Sequence, residues 1–279
     1  MATLKGKSIV ITGAASGIGR ALALQCAQLG NSLLLADIQP EALDSIVAEC
    51  RALGVSCESQ ITDTGHEAAI FALANKAQAL WGGADIIVNN AGVALVAPVD
   101  KLTAADAQWL MHINFWGVVH GCRAFLPQLR AKPQAVIVNI SSIFAMVSMP
   151  TQSIYNASKA AVRAFSDGLR QELRGSTVQL LCVHPGGIST QIANRARVVD
   201  ASLIAGSAQE MRDQFDFAAR TTPGQAAAQI IRAIERGQTR LLIGPDAVIF
   251  DWLYRLFPSR ASGWLTSLLQ WERKRRSKA

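Results

Sequence analysis

Tyr155 and Lys159 stand four residues apart in the stretch SIYNASKAA, residues 153–161. On a helix, positions i and i+4 share a face, so the phenol and the ammonium can enter one site. A free tyrosine, with a pKa of about 10, is a poor base at neutral pH, and a fixed cation beside it favours the phenolate. A tyrosine tuned in this way removes a proton from an alcohol or returns one to a ketone. The pair by itself is unspecific, because Tyr and Lys at this spacing recur on many helices. Its meaning depends on the elements that hold it.

Those elements alternate along most of the chain. Residues 8–12 (SIVIT) read as a strand, followed by a helix over 18–29 and a strand over 32–36. A helix begins near Pro40 and a short strand lies near Val55; a helix over 67–80 and a strand over 85–88 follow. A long helix over 103–129, a strand over 135–140, the Tyr155 helix and a strand over 178–183 continue the pattern. Strands that are almost continuously leucine or β-branched, set between helices, mark a parallel sheet covered on both faces. With right-handed crossovers this predicts an α/β fold, a single-domain Rossmann-type doubly wound parallel sheet with helices on both faces. The predicted catalytic domain spans 1–245. Within it, residues 188–220 are polar and alanine-rich without a clear strand, and read as a lid over the substrate. Thr222 as N-cap and Pro223 at the first position open a further helix, and residues 240–244 read as a last strand. Residues 246–279 read as a C-terminal amphipathic helical extension with a basic end.

Composition narrows the class. Half of the 279 residues are hydrophobic and 17% are charged, which fits a globular chain with a sizeable core. No apolar run reaches the roughly 18 residues of a spanning helix, and the N-terminus lacks the apolar stretch of a signal peptide; a cytoplasmic protein is expected. Five scattered cysteines (Cys26, Cys50, Cys57, Cys122, Cys182) and four histidines show no metal-ligand spacing, so reduced thiols and no metal are expected. The net charge of +7 is concentrated in the RKRRSK segment, residues 273–278, with no basic stripe interleaved with aromatics, and no nucleic acid partner is expected.

TGAASGIG, residues 12–19, follows the first strand and opens the first helix. Glycines at 13, 17 and 19 allow a tight turn and let a pyrophosphate approach the backbone, where a helix N-terminus presents free N–H groups and a positive dipole end. The spacing is G-x-x-x-G-x-G, not the G-x-G-x-x-G dinucleotide fingerprint. Asp37 ends the second strand, where a carboxylate accepts hydrogen bonds from both adenosine ribose hydroxyls and repels a 2′-phosphate. Ser16 and Ile38 stand where a compensating cation would be. The expected cofactor is therefore NAD in preference to NADP.

With these pieces in place, the chain resembles the short-chain dehydrogenase/reductase family over roughly residues 5–245. TGAASGIG looks like the family's pyrophosphate turn, with Ser16 and Ile18 beside the three glycines. NNAG, residues 89–92, resembles the segment that supports the sheet and lies along the cofactor through Asn90, Ala91 and Gly92. The resemblance places Asp63 at the adenine, Asn114 as the helix asparagine of the catalytic tetrad, and Ser142 at the serine position, with Ser141 its neighbour. HPGGIST, residues 184–190, resembles the PG segment, in which Pro185, Gly186, Ile188 and Thr190 hold the carboxamide. It implies Tyr155 as general acid/base, Lys159 lowering the phenol pKa and binding the nicotinamide ribose, Ser142 holding the substrate oxygen, and Asn114 supporting a water that links Lys159 to solvent. A homodimer or homotetramer, joined through the long helix and the Tyr155 helix, is also implied.

Residues 94–97, 143–149 and the lid are mostly apolar, which predicts a hydrophobic ketone or secondary alcohol, rather than a sugar, as the small-molecule substrate. Arg195 and Arg197 in the lid could receive a carboxylate or an acyl-carrier phosphate. His184 reads as structural, and Trp109, Trp116 and Phe125 read as packing. The extension could pack on the protein or a partner, or lie on an anionic membrane surface. An NADP(H)-linked 3-oxoacyl or carbonyl reductase, and a dinucleotide-sensing protein without turnover, stay open beside the NAD(H) oxidoreductase.

Overall fold

Alternate residues of the first strand enter opposite sides of one sheet. In β1 (Ser8–Thr12) Ile9 and Ile11 face one apolar layer while Val10 faces the other, and all three are buried. Such two-sided burial removes the polar face of a strand and explains its unbroken apolar run. The computed structural model describes residues 4–189, 192, 195–199 and 221–267. Its main sheet contains β1, β2 (Ser32–Asp37), β3 (Cys57–Ile61), β4 (Ile86–Asn89), β6 (Ala135–Ile140), β7 (Val178–Pro185) and β9 (Arg240–Ile243), all parallel, in the order β3-β2-β1-β4-β6-β7-β9. The chain leaves β1 toward β2 and β3, then returns to place β4 on the other side of β1. That reversal opens a crevice above the carboxyl ends of β1 and β4.

Three helices cover one face: α1 (Gly17–Gln28), α2 (Pro40–Ala52) and α7 (Pro223–Glu235). The other carries α3 (Glu67–Trp81), α5 (Gly117–Arg130) and α6 (Ser153–Glu172), with Phe125 fully buried among them. Thr222 and Gln225 form a reciprocal cap at the start of α7, with Pro223 at its first position. The doubly wound single-domain sheet read from the sequence is the observed fold.

Four local features differ from the sequence reading. The third strand, read near residues 55–58, overlaps that reading but runs on over Cys57–Ile61, because its register is set by pairing with Leu33–Asp37. The long helix over 103–129 is interrupted: α4 (Ala104–Met111) passes into a π-helical turn at His112–Trp116 before α5 resumes. Trp116 does not pack inside; it is 44% exposed and stacks on His120. The segment read as without a clear strand contains a short one, β8 (Arg197–Val198), paired in parallel with β5 (Leu95–Val96). Arg197 and Val199 donate backbone N–H bonds to the carbonyls of Ala94 and Val96, so this short segment is tied to the chain beyond β4.

The extension begins with α8 (Pro245–Leu256), and 261–267 form a further helical turn. Ala247, Ala261 and Leu265 pack against Ile143, Ala145, Met146 and Val147. Asp251 is buried and paired with Arg240 on β9 and with Arg255. No helix among the described residues is long and apolar enough to cross a membrane.

Candidate active site

The cleft above the switch point has a volume of about 400 Å³ and runs from Asp37 to Tyr155. Its floor is the turn after β1. Gly13 and Gly17 have positive φ (64° and 54°), a conformation open to glycine. A Cβ on Gly13 would fall 2.8 Å from the Ala91 Cα, and one on Gly19 would fall 2.2 Å from the Gly13 carbonyl oxygen. Gly19 therefore lies behind the cleft as a packing contact, while Gly13, Ser16, Gly17 and Ile18 line it. Ser16 is the N-cap of α1 without a side-chain cap bond, and the first turn holds no acidic residue. The helix end thus keeps N–H groups and its positive dipole end for an anion.

Two neighbours brace this turn. Asn90 donates its side-chain amide to the carbonyls of Thr12 (2.9 Å) and Gly13 (3.0 Å). The Thr12 hydroxyl in return accepts the backbone N–H groups of Asn90 and Ala91 at 3.0 and 3.1 Å. Asp37 accepts the Ala15 amide at 3.0 Å and the Gln39 amide at 3.1 Å while lining the cleft, which Asp63 also lines. Asp63 accepts the Gly65 amide at 2.8 Å and pairs with His66 at 3.5 Å.

At the other end, Tyr155 and Lys159 project from the first turns of α6. The Lys159 ammonium lies 5.9 Å from the Tyr155 ring centre and donates to the Ile140 carbonyl at 3.2 Å. The Phe144 ring stands edge-on to Tyr155 at 6.4 Å. Ser142 follows β6, caps a short turn by accepting the Phe144 amide at 3.1 Å, and lines the cleft together with Tyr155. Ser141 turns the other way and donates to the Lys159 backbone carbonyl at 2.8 Å, which seats α6 on β6.

Burial controls the protonation of both groups. It pushes the Tyr155 phenol up to about 12, with the Ser142 hydrogen bond pulling the other way. It brings the Lys159 ammonium down to about 8. The sequence reading has the lysine lowering the tyrosine; in the protein alone burial raises it instead, with Ser142 as the opposing influence, and Tyr155 stands protonated. His184 is buried against the Ser142 carbonyl (3.3 Å), and burial, then Arg240, lower it to about 4; a neutral structural imidazole results.

Asn114 lies in the π-helical turn, fully buried. Its side chain is a two-way clamp on Val93, accepting from the amide at 2.8 Å and donating to the carbonyl at 2.9 Å, with Ser158 at 3.3 Å. A Cβ on Gly92 would fall 3.2 Å from the Asn114 Oδ1 and 3.4 Å from the Lys159 Nζ, so both groups converge on that glycine. Pro185, Gly186 and Ile188 line the cleft beside them, and Thr190 lies outside the described residues.

The lid arginines separate. Arg197 pairs with Asp106 at 3.0 Å and covers the Trp109 ring at 5.3 Å, which takes it away from the substrate; Arg195 lines the cleft. Among the described residues no cluster of His, Cys, Asp or Glu could hold a metal, and all five cysteines are buried and free. Two residues at the site went unread in the sequence. Gln152, ahead of α6, is buried against the cleft. Asp246, on α8, accepts the Gly187 amide. Neither carries a local signal; an acid in a first helical turn after Gly-Pro is an ordinary helix start.

The glycine turn, the free helix end and the terminal carboxylate of β2 fit a dinucleotide, and Tyr155 with Ser142 fits a proton-exchanging pair at its far end. Similarity to known proteins agrees with that geometry. The profile of the short chain dehydrogenase family matches residues 7–199. A protein of Mycobacterium tuberculosis named as the oxidoreductase SadH is 40% identical over 262 residues, covering 93% of this chain and 94% of that protein. The crystal structure of a short chain dehydrogenase/reductase from Burkholderia phymatum in complex with NAD superposes with a TM-score of 0.84 at 33% identity, covering 91% of this chain and 95% of the other. A short-chain dehydrogenase from Streptomyces avermitilis gives a TM-score of 0.79 at 30% identity, covering 99% and 100% of the two chains.

Proposed function

The chain belongs to the short-chain dehydrogenase/reductase family and is an oxidoreductase, and from that premise we propose that it interconverts a hydrophobic secondary alcohol and its ketone with NAD(H). The observation that carries this reading is the placement of Tyr155, a phenol held protonated by burial, which lines the cleft with Ser142 and stands edge-on to Phe144. A phenol there gives a proton to a carbonyl oxygen in reduction and, once ionised, takes one from a hydroxyl in oxidation. The Ser142 hydroxyl holds the same oxygen as its charge changes. Lys159, tethered to the Ile140 carbonyl, keeps a cation within reach of the phenol and of the glycine at 92. Asn114 fixes the Val93 segment against which the site is built.

NAD, when bound, supplies the hydride exchange at its nicotinamide. The α1 end with Gly13, Ser16, Gly17 and Ile18 would hold its pyrophosphate, and Asp37 its adenosine ribose. The buried Asp37 carboxylate, next to Ile38 and Gln39, favours an unphosphorylated ribose. Val96, Phe144 and Ile192 give the substrate end apolar walls, which supports an apolar alcohol or ketone over a sugar. The exposed Trp116, stacked on His120, is the residue we place at subunit contact in a homodimer or homotetramer.

A graded panel of secondary alcohols and ketones, followed at the nicotinamide absorbance with NAD(H) and NADP(H), tests the proposal. Turnover that grows with apolar bulk and prefers NAD(H) is expected. A preference for NADPH overturns the coenzyme assignment, and no turnover across the panel overturns the reaction.

A further inference from the structure

The exposed apolar side chains of this protein are unevenly placed. Fourteen large hydrophobic residues are exposed among the described residues, and six of them fall within 248–264: Val248, Ile249, Trp252, Leu256, Phe257 and Trp264. Val248, Trp252 and Leu256 recur at i, i+4 and i+8, with Ile249 beside them, so they form one face of α8. Trp252 and Leu256 are more than 60% exposed. The opposite face is already occupied. Ala247, Phe250, Leu253 and Tyr254 pack on the Ile143–Val147 segment, and Asp251 is paired with Arg240. The apolar outer stripe is therefore surplus to what folding the helix requires. Phe257 and Trp264, with ring centres 5.1 Å apart, extend it onto the turn at 261–267. A contiguous apolar patch of this kind on a soluble surface marks an interaction site.

Charge identifies what it meets. Arg260 stands exposed at the border of the patch, and Arg255, also exposed there, is paired with Asp251. The sequence beyond, LLQWERKRRSKA (268–279), adds five cations in residues 273–278 against the single acid Glu272. A second copy meeting this patch face to face would bring two such basic ends to one interface. Anionic headgroups would neutralise them instead, while tryptophans suit the boundary between headgroup and acyl chain. One apolar stripe or one basic cluster anchors a protein poorly, whereas the two together bind stably. We propose that the outer face of α8, acting with the basic C-terminal segment, docks the protein on an anionic phospholipid surface. The inner face of the same helix leans on the 143–147 segment, whose Phe144 lines the cleft, so the docked helix lies beside the substrate end. The proposal stands independently of the reaction assigned above.

Co-sedimentation of the full-length protein with vesicles tests it. Vesicles of phosphatidylcholine mixed with phosphatidylglycerol are compared with phosphatidylcholine alone, at low and high salt. Partitioning at least about tenfold stronger on the anionic vesicles, and weakened by salt, is expected. Two variants are read beside it, each with its circular dichroism and melting temperature: Trp252→Ser with Leu256→Ser, and Arg273→Glu with Arg275→Glu and Arg276→Glu. Each should lose at least about tenfold in binding while keeping the fold. Equal binding to both vesicle types, or none, overturns the proposal. So does a wild-type dimer in sedimentation velocity that dissociates in the Trp252 variant without any vesicle binding, because a second copy then covers the face.

Discussion

The Asp246 carboxylate accepts the Gly187 backbone amide at 2.7 Å, across 59 residues of sequence. It joins the first turn of α8 to the segment after β7 that lines the cleft. The contact is close enough to decide two neighbours. A Cβ on Gly186 would fall 2.1 Å from the carboxylate, and one on Gly244, where φ is +96°, would fall 2.4 Å from it. The extension that departs from a compact sheet therefore supports the site itself.

Asp246→Ala should loosen the Pro185–Ile188 segment without disturbing the glycine turn at the opposite end. A hydrogen bond from a backbone amide to a charged carboxylate is worth about 1.5–3 kcal/mol, so NADH affinity should fall roughly ten- to hundredfold. Binding of ADP-ribose, which has no nicotinamide, should be unchanged. Fluorescence titration of the two ligands checks this, and an equal loss for both would show a general structural defect.

Tyr155→Phe should keep the Phe144 contact and the apolar volume and remove only the exchangeable proton. Turnover should drop by about 10²–10⁴, the usual contribution of general acid/base catalysis, with the coenzyme dissociation constant unchanged. Steady-state rates and coenzyme titration on the same preparation check this.

The protonation states imply opposite pH trends for the two reaction directions. With Tyr155 pushed up to about 12, the free enzyme carries the acid needed for reduction over the whole neutral range. The base needed for oxidation accumulates only as pH rises. At saturating coenzyme, kcat/KM for the alcohol should climb through the alkaline range, while kcat/KM for the ketone stays flat and then falls. Parallel profiles in both directions would contradict this.

Lys159 should leave a signature in stability. Its folded pKa of about 8 lies below the ordinary 10.5. Between those values the unfolded lysine holds its proton and the folded one has lost it, so stability rises with pH across that window. Below it, the buried ammonium carries a cost on the order of 3 kcal/mol. Lys159→Met should be more stable than the parent near neutrality, with the difference closing as pH approaches 10.5. Urea midpoints of both proteins across this range check it.

Asp37→Asn preserves an acceptor for the Ala15 amide while removing the charge. The ratio of kcat/KM with NADP to that with NAD should rise at least about tenfold, because the repulsion of a 2′-phosphate is lost while the turn is still braced. An unchanged ratio would place coenzyme choice elsewhere.

Much of this site is readable from local pattern. The runs of residues 8–12, 135–140 and 178–183 carry a sheet buried on both faces, since apolar side chains fill successive positions and so enter both sides of the strand. Gly13, Gly17 and Asp37 announce themselves by position relative to strand ends. The choice between Ser141 and Ser142 is harder, because successive residues leave a strand in opposite directions and the sequence does not say which faces the cleft. Packing distinguishes the two: both line the cleft, but the Ser141 hydroxyl donates to the Lys159 carbonyl while the Ser142 hydroxyl accepts the Phe144 amide. The π-helical turn that carries Asn114 has no periodic signature, since five residues wound more widely leave the flanking helical pattern intact.

From residue order alone come the alternation of strands and helices, the glycine turn, the terminal aspartate and the four-residue spacing of Tyr155 and Lys159. These are short-range properties, written in periodicities that any stretch of chain must obey wherever it folds. The tertiary structure alone decides that Arg197 turns outward to Asp106, that Asp246 reaches Gly187, and that Tyr155 and Lys159 are driven toward neutrality. Desolvation and long-range hydrogen bonds arise only when distant segments exclude water together, so they belong to the packed chain and not to any local stretch of it.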